Sequence, residues 1–214
     1  MKIDLHLHTS LASPCSILSL PALFEAAKKR GLDGVCITDH ERYEGFHVAS
    51  RMGEEMGIPV FMGIEVRTVE GDILVYSAKA LDFSGVQQLG YSDIRPRAQS
   101  LLDFVNEKGG LCVAAHPYRS TALGLGDHME LVSGLWGVEV KNGNCSKHIN
   151  GRAEEAAKSL SLKATAGSDA HWAGAVGAYY TEFESDVTNQ EEFISALKEG
   201  KLTPAGTGSP LEGY

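Results

Sequence analysis

The chain has 214 residues, 43% of them apolar and 22% charged, which suits one sizeable core and shows no compositional break, so a single domain over residues 1–214 is expected. Its 19 Lys and Arg against 28 Asp and Glu leave a formal charge of −9, which repels a phosphate backbone and disfavours extended nucleic-acid binding. Divalent ions gathered in one cleft would offset that locally by about four to six units and keep small anions in play. No apolar run approaches the roughly 20 residues that cross a bilayer, and no basic segment leads into an apolar one at the start. Cys15, Cys36, Cys112 and Cys145 form no CxxC pair and no disulfide framework. A cytoplasmic protein without membrane contact is expected.

Along the chain, short apolar runs alternate with longer amphipathic stretches. Strands are predicted at 2–8, 34–38, 59–66, 72–77, 111–115, 137–140, 163–166 and 176–183. The first helix opens at Ser19 and Pro21, carries Leu23, Phe24, Ala27 and Lys28 at helical spacing, and stops at Gly31. Further helices are predicted over 43–56, 96–108, 146–160 and 190–199, and the tail after Lys201 reads as irregular. Strands alternating with helices suit a parallel barrel or a doubly wound sheet, and both gather ligands at the carboxyl ends of the strands.

Residues able to bind metal fall at those ends. In His6-Leu7-His8 the imidazoles, two apart on a strand, project from one face and can reach one ion. Thr38-Asp39-His40 sets a carboxylate beside an imidazole where the chain leaves the second strand. Gly63-Ile64-Glu65-Val66 places a carboxylate inside an apolar strand, which is costly unless it is paired or coordinated. His116 ends the run Ala114-Ala115-His116-Pro117, Glu139 lies in the next strand, and Gly167-Ser168-Asp169-Ala170-His171 answers the opening motif with carboxylate and imidazole two apart. Each is unremarkable singly. One barrel mouth would bring them together around shared metal.

With these motifs in this order, residues 1–183 resemble the PHP (polymerase and histidinol phosphatase) family through His6-Leu7-His8, Thr38-Asp39-His40, Gly63-Ile64-Glu65, His116-Pro117 and Gly167-Ser168-Asp169-Ala170-His171. The resemblance implies an α/β fold, a distorted (β/α)7 TIM-like barrel, with two or three Zn, Mn or Fe ions and phosphoester hydrolysis. It also implies that His6, His8, Glu65 and Asp169 hold a first ion, that Glu65 bridges to a second completed by His116, and that His40 and His171 serve a third. Two departures stand out. Relatives often carry an acidic or histidine ligand shortly after the HxH, where this chain has Ser13-Pro14-Cys15, which leaves three alternatives: Cys15 supplies a thiolate to the third ion, Asp39 helps to hold it, or that ion binds weakly or not at all. Many relatives also carry a histidine shortly after the glutamate, where the nearest equivalent here is Asp72, either a harder ligand favouring Mn or a turn residue.

Paired cations suit a phosphoester, and no GxSxG elbow offers a serine nucleophile. The expected chemistry is in-line attack by a metal-bridging hydroxide near Glu65, with Asp39 and Arg119 as further catalytic residues. Arg119, one short loop beyond His116, is either a phosphate fork or a surface salt-bridge partner. Asn142 and Asn144 share the rim, with Glu139 in a supporting role. A small phosphorylated substrate comes first. The alternatives are a nuclease or phosphodiesterase acting on nucleotide or oligonucleotide ends, and a non-catalytic metal-binding accessory module.

Overall fold

The computed structural model describes residues 1–86, 88–90, 93–119 and 123–213. In chain order its elements are β1 (Lys2–Asp4), α1 (Leu20–Arg30), β2 (Gly34–Ile37), α2 (Glu44–Met56), β3 (Val60–Arg67), β4 (Asp72–Tyr76), β5 (Gln88–Gly90), β6 (Asp93–Pro96), α3 (Ala98–Glu107), β7 (Leu111–Ala114), β8 (Gly137–Asn142), α4 (Lys147–Ser159), β9 (Lys163–Gly167), β10 (Tyr179–Phe183), α5 (Gln190–Glu199) and β11 (Leu202–Gly206). The first helix forms as its sequence dictates. Ser19 is extended at its start, Leu20, Leu23, Phe24 and Ala27 form its buried stripe, Lys28, Lys29 and Arg30 complement the carboxyl-terminal dipole, and Gly31 takes φ of 68° to end it.

Nine strands form one sheet in the order β11-β10-β1-β2-β3-β4-β7-β8-β9. Beyond the strand ends it curls shut. Asp169 N–H donates to His6 O at 2.7 Å and His8 N–H donates to Ala170 O at 2.9 Å, joining the extension of β9 to that of β1. Lower in the seam, Thr181 of β10 clips β9, its Oγ1 accepting from Ala166 N and donating to Ala166 O, each at 2.9 Å. The result is an α/β fold with a distorted TIM-like barrel of seven strands, β1-β2-β3-β4-β7-β8-β9, and an antiparallel β10–β11 pair, linked through α5, beside the seam.

Three features differ from the expected order. β4 runs antiparallel to both β3 and β7, because only residues 68–71 connect β3 to β4 and a link that short can make only a hairpin. The tail after Lys201 is not wholly irregular, since Leu202–Gly206 pairs with β10 along its full length. The opening strand stops at Asp4 rather than running to residue 8. There the alternation slips: Ile3 and Leu5 pack with Phe61, Leu74, Tyr76 and Val113, while Leu7 packs with α1 and Ile37. The buried Asp4 carboxylate holds that break, accepting from His6 N at 3.3 Å, Ser168 N at 2.9 Å and Gly177 N at 2.9 Å. The slip turns His6 and His8 to the face that Glu65 shares.

The barrel interior is filled at the amino ends of its parallel strands. Phe193 of α5 stacks on Phe61 at 4.5 Å between ring centroids and meets the Tyr76 ring edge-on at 6.0 Å. With that end plugged, the polar residues are left to the opposite end.

Candidate metal centre

Eight predicted side chains meet at the carboxyl ends of the strands. They form four overlapping groups whose ligand atoms lie within 4.8 Å of one another: His6–His8–Glu65, His6–His116–Asp169, Glu65–Asp72–His116 and His8–His40–His171. Only His40 and His171 are partly open to solvent.

Four atoms define the tightest point. His6 Nε2 and His8 Nε2 are 3.1 Å apart; Glu65 Oε2 and Asp169 Oδ1 each lie 3.6 Å from the first and 3.3 Å from the second. Donors about 2.0–2.1 Å from a tetrahedral zinc-like ion stand about 3.3–3.4 Å from one another, so the two imidazole nitrogens with either carboxylate have a spacing close to that of donors around a cation. Glu65 reaches in two directions: Oε2 lies 3.0 Å from His40 Nδ1, and Oε1 lies 3.0 Å from His116 Nε2. Nitrogen and carboxylate donors together suit Zn, Mn or Fe. The remaining buried nitrogen of His116, Nδ1, has no hydrogen-bond partner among the described residues.

The protonation preferences describe a pocket that demands positive charge. Burial works against a charged His6, yet Glu139, Asp169 and Glu65 outweigh it and hold its pKa well above the ordinary imidazole value. His8 and His116 are likewise raised against burial by neighbouring carboxylates. Burial opposes ionisation of Glu65 and Asp169 too, but His6 and the other imidazoles keep both far below the carboxylate range. Asp72 is the exception: burial and the nearby Glu65 charge push it up to about 6. Burial lowers His40 to about 4, and burial with the His8 charge lowers His171, so both rings favour the neutral form that ligates metal.

Backbone conformation contributes as well. His116 and Asp169 sit at φ of 30° and 51°, a left-handed region costly for side-chain-bearing residues and associated with functional sites. Glycine makes room beside them, since a Cβ at Gly167 would collide with His6.

Around the cluster lies a ring of fixed polar groups. Glu139 Oε1 accepts from His6 Nδ1 at 2.9 Å, while its Oε2 accepts from His116 N and Asn142 Nδ2, both at 2.9 Å. Asn142 Nδ2 lies 3.3 Å from Asp169 Oδ2, and Asn144 Nδ2 donates to Asp169 O at 2.8 Å. Arg119 Nη1 donates to Asp169 Oδ2 at 3.0 Å, with about a third of its side chain exposed. Arg67 Nε lies 3.4 Å from Asp72 Oδ1.

Two expected residues are not among the grouped donors. Cys15 is exposed and belongs to none of the four groups. The buried Asp39 turns away from the cluster to accept from Thr9 N, Thr9 Oγ1 and Ser13 Oγ at 2.7, 2.8 and 2.7 Å. Neither stands among the donors around His40 and His171. Sequence reasoning missed Asp4 and Ser13. A buried charge in an opening strand was the available signal for the first; for Ser13 the signal was its place in Ser13-Pro14-Cys15, where relatives often carry a ligand, although attention there fell on Cys15.

Comparison with known proteins agrees with this picture. A PHP-associated (PHP_C) family model matches residues 147–202. The uncharacterized protein MJ1587 of Methanocaldococcus jannaschii is 32% identical over 151 residues, covering 66% of this chain and 82% of that protein. A DNA polymerase III PolC-type from Oceanobacillus iheyensis is 33% identical over 72 residues, 34% of this chain but only 5% of the polymerase. Among solved structures, PsfC from Pseudomonas syringae superposes with a TM-score of 0.70 at 22% identity, covering 96% of this chain and 91% of PsfC. A Bifidobacterium adolescentis protein provisionally described as a metal-dependent phosphoesterase gives 0.64 at 20% identity, covering 92% of this chain and 96% of that one. At such identities the two structures show a shared fold.

Proposed function

Because the chain belongs to the PHP family, we propose that it is a metal-dependent phosphoesterase acting on small phosphomonoesters, with water as the nucleophile. The observation that carries this reading is the set of overlapping donor groups in which the His6 and His8 imidazoles lie between the Glu65 and Asp169 carboxylates, extended by His116 and Asp72 on one side and by His40 and His171 on the other.

Divalent ions held there would neutralise phosphate charge and lower the pKa of water. The chain's own residues supply the rest. Glu65, with one oxygen toward His116 and the other toward His40, ties the two halves of the cluster together. Glu139 fixes His6 by taking its Nδ1 proton in a hydrogen bond, leaving Nε2 as the inward donor. Arg119, anchored through one amine to Asp169, is placed to hold a non-bridging phosphate oxygen with the rest of its guanidinium. Asp39 does not face the cluster, so its role is to hold the loop after β1.

The likeness to a short stretch of PolC-type polymerases favours a second reading, cleavage at nucleotide or oligonucleotide ends by the same groups. The charge of −9 weighs against a long duplex and not against a short end. The test is elemental analysis of protein purified without chelator, followed by a metal-supplemented panel of phosphomonoesters, phosphodiesters and short oligonucleotides. Phosphate release from small monoesters supports the first reading, and turnover confined to diesters or oligonucleotides supports the second. Stoichiometric metal with no turnover on any of them would leave a metal-binding accessory module.

A further inference from the structure

We propose that Ser13, anchored by Asp39, is a positioning residue that fixes the His8 tautomer and couples the loop after β1 to both His8 and His40. This rests on the metal-centre reading above and adds a role for two residues outside the ligand set.

The geometry follows from the bonding capacity of one hydroxyl. Ser13 Oγ has a single proton and two lone pairs. It lies 2.7 Å from Asp39 Oδ1, a buried carboxylate that can only accept when ionised, so the proton goes there. One lone pair accepts from His40 N at 3.1 Å. The other faces His8 Nδ1 at 3.3 Å, and an oxygen whose proton is committed can only accept from that nitrogen. In the neutral ring that ligates metal, His8 therefore carries its proton on Nδ1. Its Nε2 lone pair faces His6 Nε2, Glu65 Oε2 and Asp169 Oδ1, at 3.1, 3.3 and 3.3 Å.

Glu139 does the same for His6 with a direct carboxylate. For His8 the carboxylate acts one atom further out, through the hydroxyl. The arrangement also accounts for how the buried Asp39 carboxylate is satisfied: Thr9 N and Thr9 Oγ1 supply its other hydrogen bonds. The same hydroxyl grips the His40 backbone, so the loop that carries Ser13 is registered against both the His6–His8–Glu65 group and the His8–His40–His171 group.

The test uses full-length protein with ¹⁵N-labelled histidine, zinc as the probe ion, and the variants Ser13→Ala and Ser13→Thr. In the zinc-loaded wild type, His8 is expected to show a slowly exchanging proton on Nδ1 and coordination through Nε2. Ser13→Ala should lose that protected proton and weaken zinc binding, measured by competition with a chelator, by about 10–100-fold. Ser13→Thr, which keeps the hydroxyl, should restore both to within about threefold of wild type. A wild-type His8 that ligates zinc through Nδ1 overturns the proposal whether or not Ser13→Ala folds. So does a folded Ser13→Ala with zinc affinity within twofold of wild type. A wild-type protein that binds no zinc overturns this proposal and the metal-centre reading together, a result distinct from the other two.

Discussion

Replacing Glu65 with Gln removes one charge while keeping the shape of the side chain. Glu65 has a carboxylate oxygen 3.0 Å from His116 and the other 3.0 Å from His40, with His8 at 3.3 Å. At an effective dielectric of about 20, a pair of unit charges at 3 Å interacts by about 5–6 kcal/mol. The amide keeps one oxygen donor and so retains part of this. A loss of about 3–4 kcal/mol in transition-state stabilisation is expected, equivalent to two to three decades in kcat/KM. The assay is initial-rate hydrolysis of an aryl phosphate with added Zn or Mn, paired with metal content per chain and a thermal melt in chelator to verify folding. Glu65→Gln with metal content and kcat/KM both within threefold of wild type would refute the bridging role.

Arg119→Lys should lower kcat/KM by about 10–100-fold, mainly through KM, because a point charge replaces a planar fork; denaturant unfolding should move by less than about 1 kcal/mol, as the pair is partly exposed. Ion removal should be visible as stability. A divalent ion at a hundred times its Kd contributes about 2.7 kcal/mol, so chelation should lower Tm by roughly 5–11 °C in a chain of this size, checked by calorimetry. In chelator, His40 should titrate near 4 rather than 6.5, chiefly through burial. Its folded pKa then lies below its unfolded one, so the folded state resists protonation and stability falls as pH drops from 6.5 toward 4. His40→Gln should flatten that slope in pH-dependent urea unfolding.

Much of the centre was legible because its residues recur where strands end. A buried Glu65 in Gly63-Ile64-Glu65-Val66 and the paired HxH and DxH motifs carry meaning without coordinates, and α1 was bounded by Ser19 and Gly31 as written. Other features depend on partners distant in sequence. The slip in β1 is held by Asp4 through Ser168 and Gly177, more than 160 residues away, so a period-two pattern read along residues 2–8 does not reveal it. The reversal of β4 could have been read from its short connection to β3, but the apolar run itself is silent about direction. Asp39 illustrates the limit of motif reading: it adjoins a candidate ligand in sequence, yet its carboxylate serves Thr9 and Ser13. The strand at Leu202–Gly206 carries Thr, Pro and Gly among its five residues and is partly exposed, because it is the edge strand of the sheet, paired with β10.

The left-handed torsions at His116 and Asp169 bear on how this pocket waits for its ions. Each such conformation costs of order 1–3 kcal/mol, and the closed ladder of strands enforces it before any ion arrives. Binding therefore need not reshape the chain. The same eight side chains transplanted onto relaxed loops would have the right chemistry aimed in the wrong directions, so the identity of this centre resides as much in two backbone angles as in its list of ligands.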